Sequence, residues 1–182
     1  SVTATALDNA GNTSSKTQAI SVDTTAPEIY ISAAGNQIMG GWFSTPVNLS
    51  ANASDAVSGV TEGVSLSFDN GSTWVNGPVT LNDGLYDAQF RVLDLAGNVA
   101  TSQMSLKIDT QPPTIAFFEA GTLGGNGWYV SPATVSVNLS DNLSGVTSIQ
   151  VRLDGGAWQD GASVTVDEGI HTIDFQSSDA AG

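Results

Sequence analysis

Leu93-Asp94-Leu95-Ala96-Gly97-Asn98 and the Asp109-Thr110-Gln111-Pro112-Pro113 that follows it decide the reading of this chain, because both recur. Leu7-Asp8-Asn9-Ala10-Gly11-Asn12 and Asp23-Thr24-Thr25-Ala26-Pro27 stand 86 positions earlier, and Ser178-Asp179-Ala180-Ala181-Gly182 stands 85 positions later. A period of this length marks a tandem array, in which each unit buries its core largely by itself and leans on its neighbours. It divides the chain into residues 1–22, 23–108 and 109–182. The first is the last two strands of a preceding repeat, or a pair of donor strands. The second is one complete repeat, and the third is a repeat lacking its final strand.

Within these pieces the apolar residues alternate with a period of two. Val47, Leu49, Ala51 and Ala53 share one strand face; so do Tyr86, Ala88, Phe90 and Val92, and then Met104, Leu106 and Ile108. Asp69-Asn70-Gly71-Ser72 is a hairpin signal, since Asn-Gly accepts the positive φ that tight hairpin turns require. Thr3–Leu7 and Thr17–Val22 read as two strands joined by a polar loop. In the third piece Ile115 with Phe117, Val135 with Val137 and Leu139, Ile149 with Val151 and Leu153, and Ile173 with Phe175 occupy the corresponding inward positions. No helical periodicity competes, so the expected class is all-β, a tandem of β-sandwich domains with about seven strands per repeat. A sandwich short of its last strand exposes backbone donors and an apolar groove. Either the chain continues or a strand such as Thr17–Val22 of a neighbouring copy completes it.

Composition narrows the function. The chain carries 4 Lys+Arg against 18 Asp+Glu, for a net charge of −14. That balance speaks against nucleic acid and anionic membrane surfaces, both of which call for a basic face. Asp supplies 14 of the acids, and its short carboxylate suits turns, backbone caps and oxygen-ligand metal sites. Without Cys there is neither a disulfide framework nor a thiolate metal site. No apolar run reaches the length of a membrane-spanning helix, so direct membrane insertion is not expected.

Ala4-Thr5-Ala6-Leu7-Asp8-Asn9-Ala10-Gly11-Asn12 followed by Val22-Asp23-Thr24-Thr25-Ala26-Pro27 resembles the domain-end signature of bacterial immunoglobulin-like repeats of giant adhesins and other secreted surface proteins. Gly127-Trp128-Tyr129, Ser131-Pro132, Ser144-Gly145-Val146 and Leu153-Asp154-Gly155-Gly156-Ala157-Trp158 resemble the same broad group, which includes modules appended to extracellular glycan-active enzymes. The resemblance implies immunoglobulin-like sandwiches in an extracellular, cell-surface location, with neighbouring repeats as partners and a surface glycan or receptor as a further one. The expected role is a non-catalytic structural or adhesive rod. The alternatives are a filament subunit completed by strand exchange and a carbohydrate-binding accessory module.

The chemical candidates are few. His171, the only His, aligns with Tyr86 on an inward face and has no nucleophile and acid arranged around it in sequence, so no catalysis is expected. Trp42 and Trp128, 86 positions apart, could stack on sugar rings or plug the ends of a sandwich, as could Trp74 and Trp158. Lys107 lies between inward Leu106 and Ile108 and therefore points outward.

The recurring aspartates carry the metal hypothesis. Asp55 and Asp141 end the second strand of their repeats, Asp8, Asp94 and Asp179 end the penultimate one, and Asp23 and Asp109 open the linkers. These side chains either cap turns by accepting backbone N–H bonds or, with linker and loop brought together, hold calcium, which takes six to eight oxygens. Resemblance to adhesin repeats favours calcium at the junctions. Treating the second and penultimate strands as antiparallel puts Asp55 and Asp94 at opposite poles, so that Asp109 is expected to meet Asp141 or Asp179 without Asp55 and Asp94 sharing an ion.

Overall fold

The computed structural model describes residues 1–38 and 40–182, and every regular element among them is a strand. In chain order these are β1 (Val2–Leu7), β2 (Thr13–Gln18), β3 (Glu28–Ala34), β4 (Trp42–Phe43), β5 (Val47–Ser54), β6 (Ser65–Ser67), β7 (Val75–Asn76), β8 (Val79–Leu81), β9 (Gly84–Leu93), β10 (Val99–Ile108), β11 (Thr114–Ala120), β12 (Ala133–Ser140), β13 (Val146–Leu153), β14 (Gln159–Asp160), β15 (Ser163–Val166) and β16 (Ile173–Asp179). The sheets run β1-β2, β3-β5-β8, β4-β10-β9-β6-β7, β11-β12-β15 and β14-β13-β16. Eight strands therefore lie between Glu28 and Ile108 and six between Thr114 and Asp179, where about seven per repeat were expected. The surplus comes from two-residue strands such as Trp42–Phe43, too short to alternate visibly.

By proximity the chain forms two compact units that interleave along the sequence. One comprises Ser1–Ile31, Ala51–Gly77 and Gln89–Gln103; the other comprises Ser32–Ser50, Pro78–Ala88 and Met104–Gly182. In the first, Leu66 and Phe90 face each other across β6 and β9 and are both 0% exposed, with Val64 and Val92 beside them in the core. Asn70 and Gly71 adopt φ of 57° and 82°, as the Asn-Gly signal predicts for a turn between β6 and β7. The β1-β2 ladder is antiparallel from Val2↔Gln18 to Leu7↔Thr13, and every residue in it is exposed.

That ladder corrects the expected strand at Thr17–Val22. The Asp8–Asn12 turn is tight, closed by Asp8 N–H to Asn12 O at 3.0 Å and Gly11 N–H to Asp8 O at 3.1 Å, so pairing starts at Thr13. It stops at Gln18 because β1 has no residue beyond Val2 in the ladder. Ile20 and Val22 lie outside it, 59% and 73% exposed.

In the second unit Val47, Leu49, Leu81, Ala88, Leu106, Ile108 and Phe43 form the core. The end of β10 runs parallel to β4, Lys107 opposite Trp42 and Ile108 opposite Phe43, and Lys107 points outward as its position requires. The inward positions of β11 to β16 are less covered. Val151 is buried, Val135, Val137, Leu139, Ile149 and Ile173 are half-buried, and Phe117, expected inside, is 62% exposed and meets Phe175 edge-on at 5.9 Å. The sheets here have three strands each, which leaves the outer side of the Phe117 ring bare.

Candidate functional site

The linker aspartates are placed by the strands on either side of them. β10 ends at Ile108, and Asp109, 2% exposed, follows at once, its N–H bonded to Phe43 O at 3.0 Å. The Asp109 carboxylate accepts the Gln111 N–H at 3.1 Å on Oδ1 and the Ser144 N–H at 3.0 Å on Oδ2. Asp23 repeats this wiring 86 positions earlier, taking the Thr25 N–H on Oδ1 and the Ser58 N–H on Oδ2, each at 3.0 Å. Each linker carboxylate thus reaches 35 residues ahead to the same Ser of the same Asp-x-x-Ser-Gly-Val loop.

Those loops are themselves wound around an aspartate. Asp55 Oδ1 accepts the N–H groups of Val57, Ser58 and Gly59 at 3.0, 2.8 and 2.9 Å, and Asp141 Oδ1 accepts those of Leu143 and Gly145 at 3.1 and 2.6 Å. The turn passes through Gly59 and Gly145, both at φ 77°, a conformation that a Cβ disfavours. The Gly59 and Val57 donors hold the Asp55 carboxyl below its ordinary range against a smaller opposing effect of burial.

The third member comes from the Asp-x-Ala-Gly turn. Asp94 is 1% exposed; its Oδ1 accepts the Asn98 N–H at 2.8 Å and its Oδ2 the Asn98 side-chain amide at 2.7 Å. That amide also reaches Asp23 O at 3.2 Å and Thr25 O at 3.1 Å, which ties the linker to the turn. Burial pushes the Asp94 carboxyl up, but the Asn98 amide and the Asn98 and Gly97 N–H groups outweigh it, and the group titrates below the usual range. Asp179, 7% exposed, takes the Ala181 and Gly182 N–H groups on Oδ1, both at 2.8 Å.

The outcome is two triads, Asp23/Asp55/Asp94 in the first unit and Asp109/Asp141/Asp179 in the second, with carboxylate oxygens all within 4.8 Å of one another in each. This corrects the expectation that Asp55 and Asp94 lie at opposite poles. β5 and β9 belong to different sheets and, as second and sixth strands of an up-and-down succession, run the same way. The loop after β5 consequently lies alongside the end of β9, through the Val60↔Asp94 bridge and the Thr61 N–H to Leu93 O bond of 3.0 Å. Asp109 does meet Asp141 and Asp179. Asp8 joins neither triad: it is exposed, and its carboxylate closes its own turn on Ala10 and Asn12.

The triads were tested for their fit to a hard cation. Oxygens 2.3–2.6 Å from one calcium ion stand at most about 5 Å apart, so three oxygens within 4.8 Å suit a single ion. The backbone donors engage Oδ1 of Asp141 and Asp179, which leaves Oδ2 available. Among the described residues the ion pairs are Arg152 with Asp174 and His171 with Asp154, so no basic side chain neutralises either triad. The Ser144 hydroxyl is close enough to Asp109 to favour its charged form, yet misses hydrogen-bond geometry and is a buried oxygen without a partner. The residues fit a divalent oxygen-seeking cation. Sequence reasoning missed the Ser58, Ser144 and Asn98 contacts, although the repeated Ser-Gly-Val after each loop aspartate was their visible trace.

The other candidates disperse. Trp42 is half-buried under the Lys107 ammonium at 5.8 Å, whereas Trp128 is 59% exposed along a cleft, so the two do not form matching platforms. Trp74 and Trp158 are half-buried under Arg91 and Arg152, at 4.3 and 4.6 Å. His171 bonds Asp154 at 2.9 Å through Nδ1, and its Nε2 is sealed from solvent without a partner. Among the described residues no helix is long and apolar enough to cross a membrane.

Comparison with known families matches one stretch. Residues 45–110 match the family model of the bacterial Ig-like domain. The match spans Asp55, Asp94 and Asp109, and with the helix-free architecture it makes the fold an immunoglobulin-like β-sandwich. No curated protein matches the chain.

Proposed function

We propose that this chain is a segment of a non-catalytic rod on a bacterial cell surface, in which Ig-like repeats are set end to end and their linkers are stiffened by calcium held in the aspartate triads. The observation that carries the reading is the wiring of the second linker. Asp109 and Thr110 are bonded backward, to Phe43 O at 3.0 Å and Asp83 Oδ1 at 2.9 Å, and Asp109 is bonded forward to Ser144 at 3.0 Å. Pro112 and Pro113 follow at once and fix φ, so the linker has few soft dihedrals. A cation in the triad would add a tie between Asp109, Asp141 and Asp179 that chelation removes. Such a segment serves reach: it carries a distal element away from the surface and transmits force.

The test exploits the absence of Cys. Spin labels on Thr80→Cys and Glu168→Cys, exposed positions before and after the linker, report the distance distribution across it. A narrow distribution in millimolar calcium that broadens with chelator supports the rod. The same broad distribution in both conditions refutes it.

A further inference from the structure

The cleft beside Trp128 has the shape of a missing strand, and the preceding repeat shows which one. In the second unit Leu106 and Ile108 of β10, 2% and 0% exposed, fill the space walled by Phe43, Val47, Leu49 and Ala88. Shifting these wall positions by 85 or 86 residues gives Tyr129, Ala133, Val135 and Ile173, and these line an open cleft of about 890 Å³. The sheet beside it ends at the same place: the order β7-β6-β9-β10-β4 becomes β14-β13-β16, with the position of β10 beside β16 vacant. A bare edge strand next to an apolar cleft accepts an added strand, backbone to the edge and alternate side chains into the cleft.

The chain itself displays a strand of the required register. Moving β10 back by 86 positions lays Leu106 on Ile20, Ile108 on Val22 and Asp109 on Asp23. Ile20 and Val22 are 59% and 73% exposed and stand free of the β1-β2 ladder. Their partner strand β1 would have to leave, because it occupies the edge of β2 that β9 occupies on β10. That release is cheap, since β1-β2 is an isolated two-stranded ladder with all its residues exposed, an arrangement marginal in water.

We infer that the cleft between β16 and the Trp128–Tyr129 segment is a strand-acceptor groove whose occupant is the Thr13–Val22 segment of a second copy of this chain, inserted with Ile20 and Val22 in the places that Leu106 and Ile108 fill one repeat earlier. The inference is independent of calcium in the triads. Because each chain offers one donor and one groove, the association is head-to-tail and propagates. With −14 charges per copy, it strengthens as salt screens the repulsion.

Sedimentation velocity of the full chain from 1 to 500 µM, at low and at 0.5 M salt, is the test, with the double variant Ile20→Asp/Val22→Asp as control. Both positions are exposed, so the variant retains the fold of the single copy. The expected result is concentration-dependent growth beyond dimers, stronger in salt, and weakened at least about a hundredfold by the double variant, which buries charge where two branched side chains were to go. A peptide of residues 99–109 should cap the growth by filling the groove. A monomer at every concentration overturns the inference, and so does association that the double variant leaves intact. Peptide binding without self-association shows a groove for a strand but not for a second copy, and overturns it as well.

Discussion

Replacing Asn98 by Ala tests how the linker is fastened to the repeat that follows it. The Asn98 amide donates to Asp23 O at 3.2 Å, to Thr25 O at 3.1 Å and to the Asp94 carboxylate at 2.7 Å, and no other side-chain hydrogen bond links that turn to the linker. The two bonds to carbonyls, at about 1 kcal/mol each, give about 2 kcal/mol. Loss of the bond to Asp94 acts in the same direction, since it strips a donor from a carboxylate that is 1% exposed. For a domain of this size about 2 kcal/mol lowers Tm by about 8–16 °C. Calorimetry or circular-dichroism melts read the midpoint, and hydrogen exchange should show the Thr25 and Ser58 amides, both held by Asp23, losing protection ahead of the Leu66–Phe90 core. A midpoint within about 2 °C of the parent, with those amides still protected, would refute the claim that this side chain fastens the linker.

Phe90, 0% exposed, should cost about 3–5 kcal/mol on replacement by Ala, whereas Trp128→Ala, at 59% exposure, should stay within about 0.5 kcal/mol; chemical denaturation of both variants checks the contrast. Gly59→Ala should destabilise by about 1–2 kcal/mol although no atom lies within 4 Å of the added Cβ, because the cost is the φ of 77° alone, and Gly59→Asn should recover part of it in the same melts. Acid should unfold the protein. Asp55, Asp94 and Asp109 all titrate below their ordinary range when folded and Asp69 falls to about 2, so the stability they contribute is complete above the unfolded value of about 4 and is lost as pH drops through the lower folded values. Tm measured in chelator should therefore fall between pH 5 and pH 2; a midpoint that is flat or rises toward acid contradicts the assignment.

The alternation of Val47/Leu49, Ala88/Phe90/Val92 and Leu106/Ile108 made the sandwich readable, because a strand with one covered face leaves a period of two in its own sequence. Thr17–Val22 misled for the same reason: Ile20 and Val22 keep the alternation of a strand, but the ladder ends where β1 ends, and sequence pattern cannot see the partner's length. The candidate site was legible as six recurring aspartates and illegible as two triads. Their grouping depends on the relative direction of β5 and β9, which no local pattern encodes and which counting the strands as neighbours reversed. The forward contacts from Asp23 to Ser58 and Asp109 to Ser144 span 35 residues and use backbone N–H groups, which carry no signature of residue type.

Calorimetric titration of the full chain with calcium at neutral pH reaches the central claim most directly. The account predicts binding of about two ions per chain with Kd of about 10⁻⁴ to 10⁻³ M, one lost in Asp94→Asn and the other in Asp179→Asn. At 5 mM calcium that affinity corresponds to about 1–2 kcal/mol of stabilisation per ion, visible as a matching rise in Tm over chelator. No binding heat and no shift in midpoint at millimolar calcium would contradict it, and would leave the aspartates as turn caps alone.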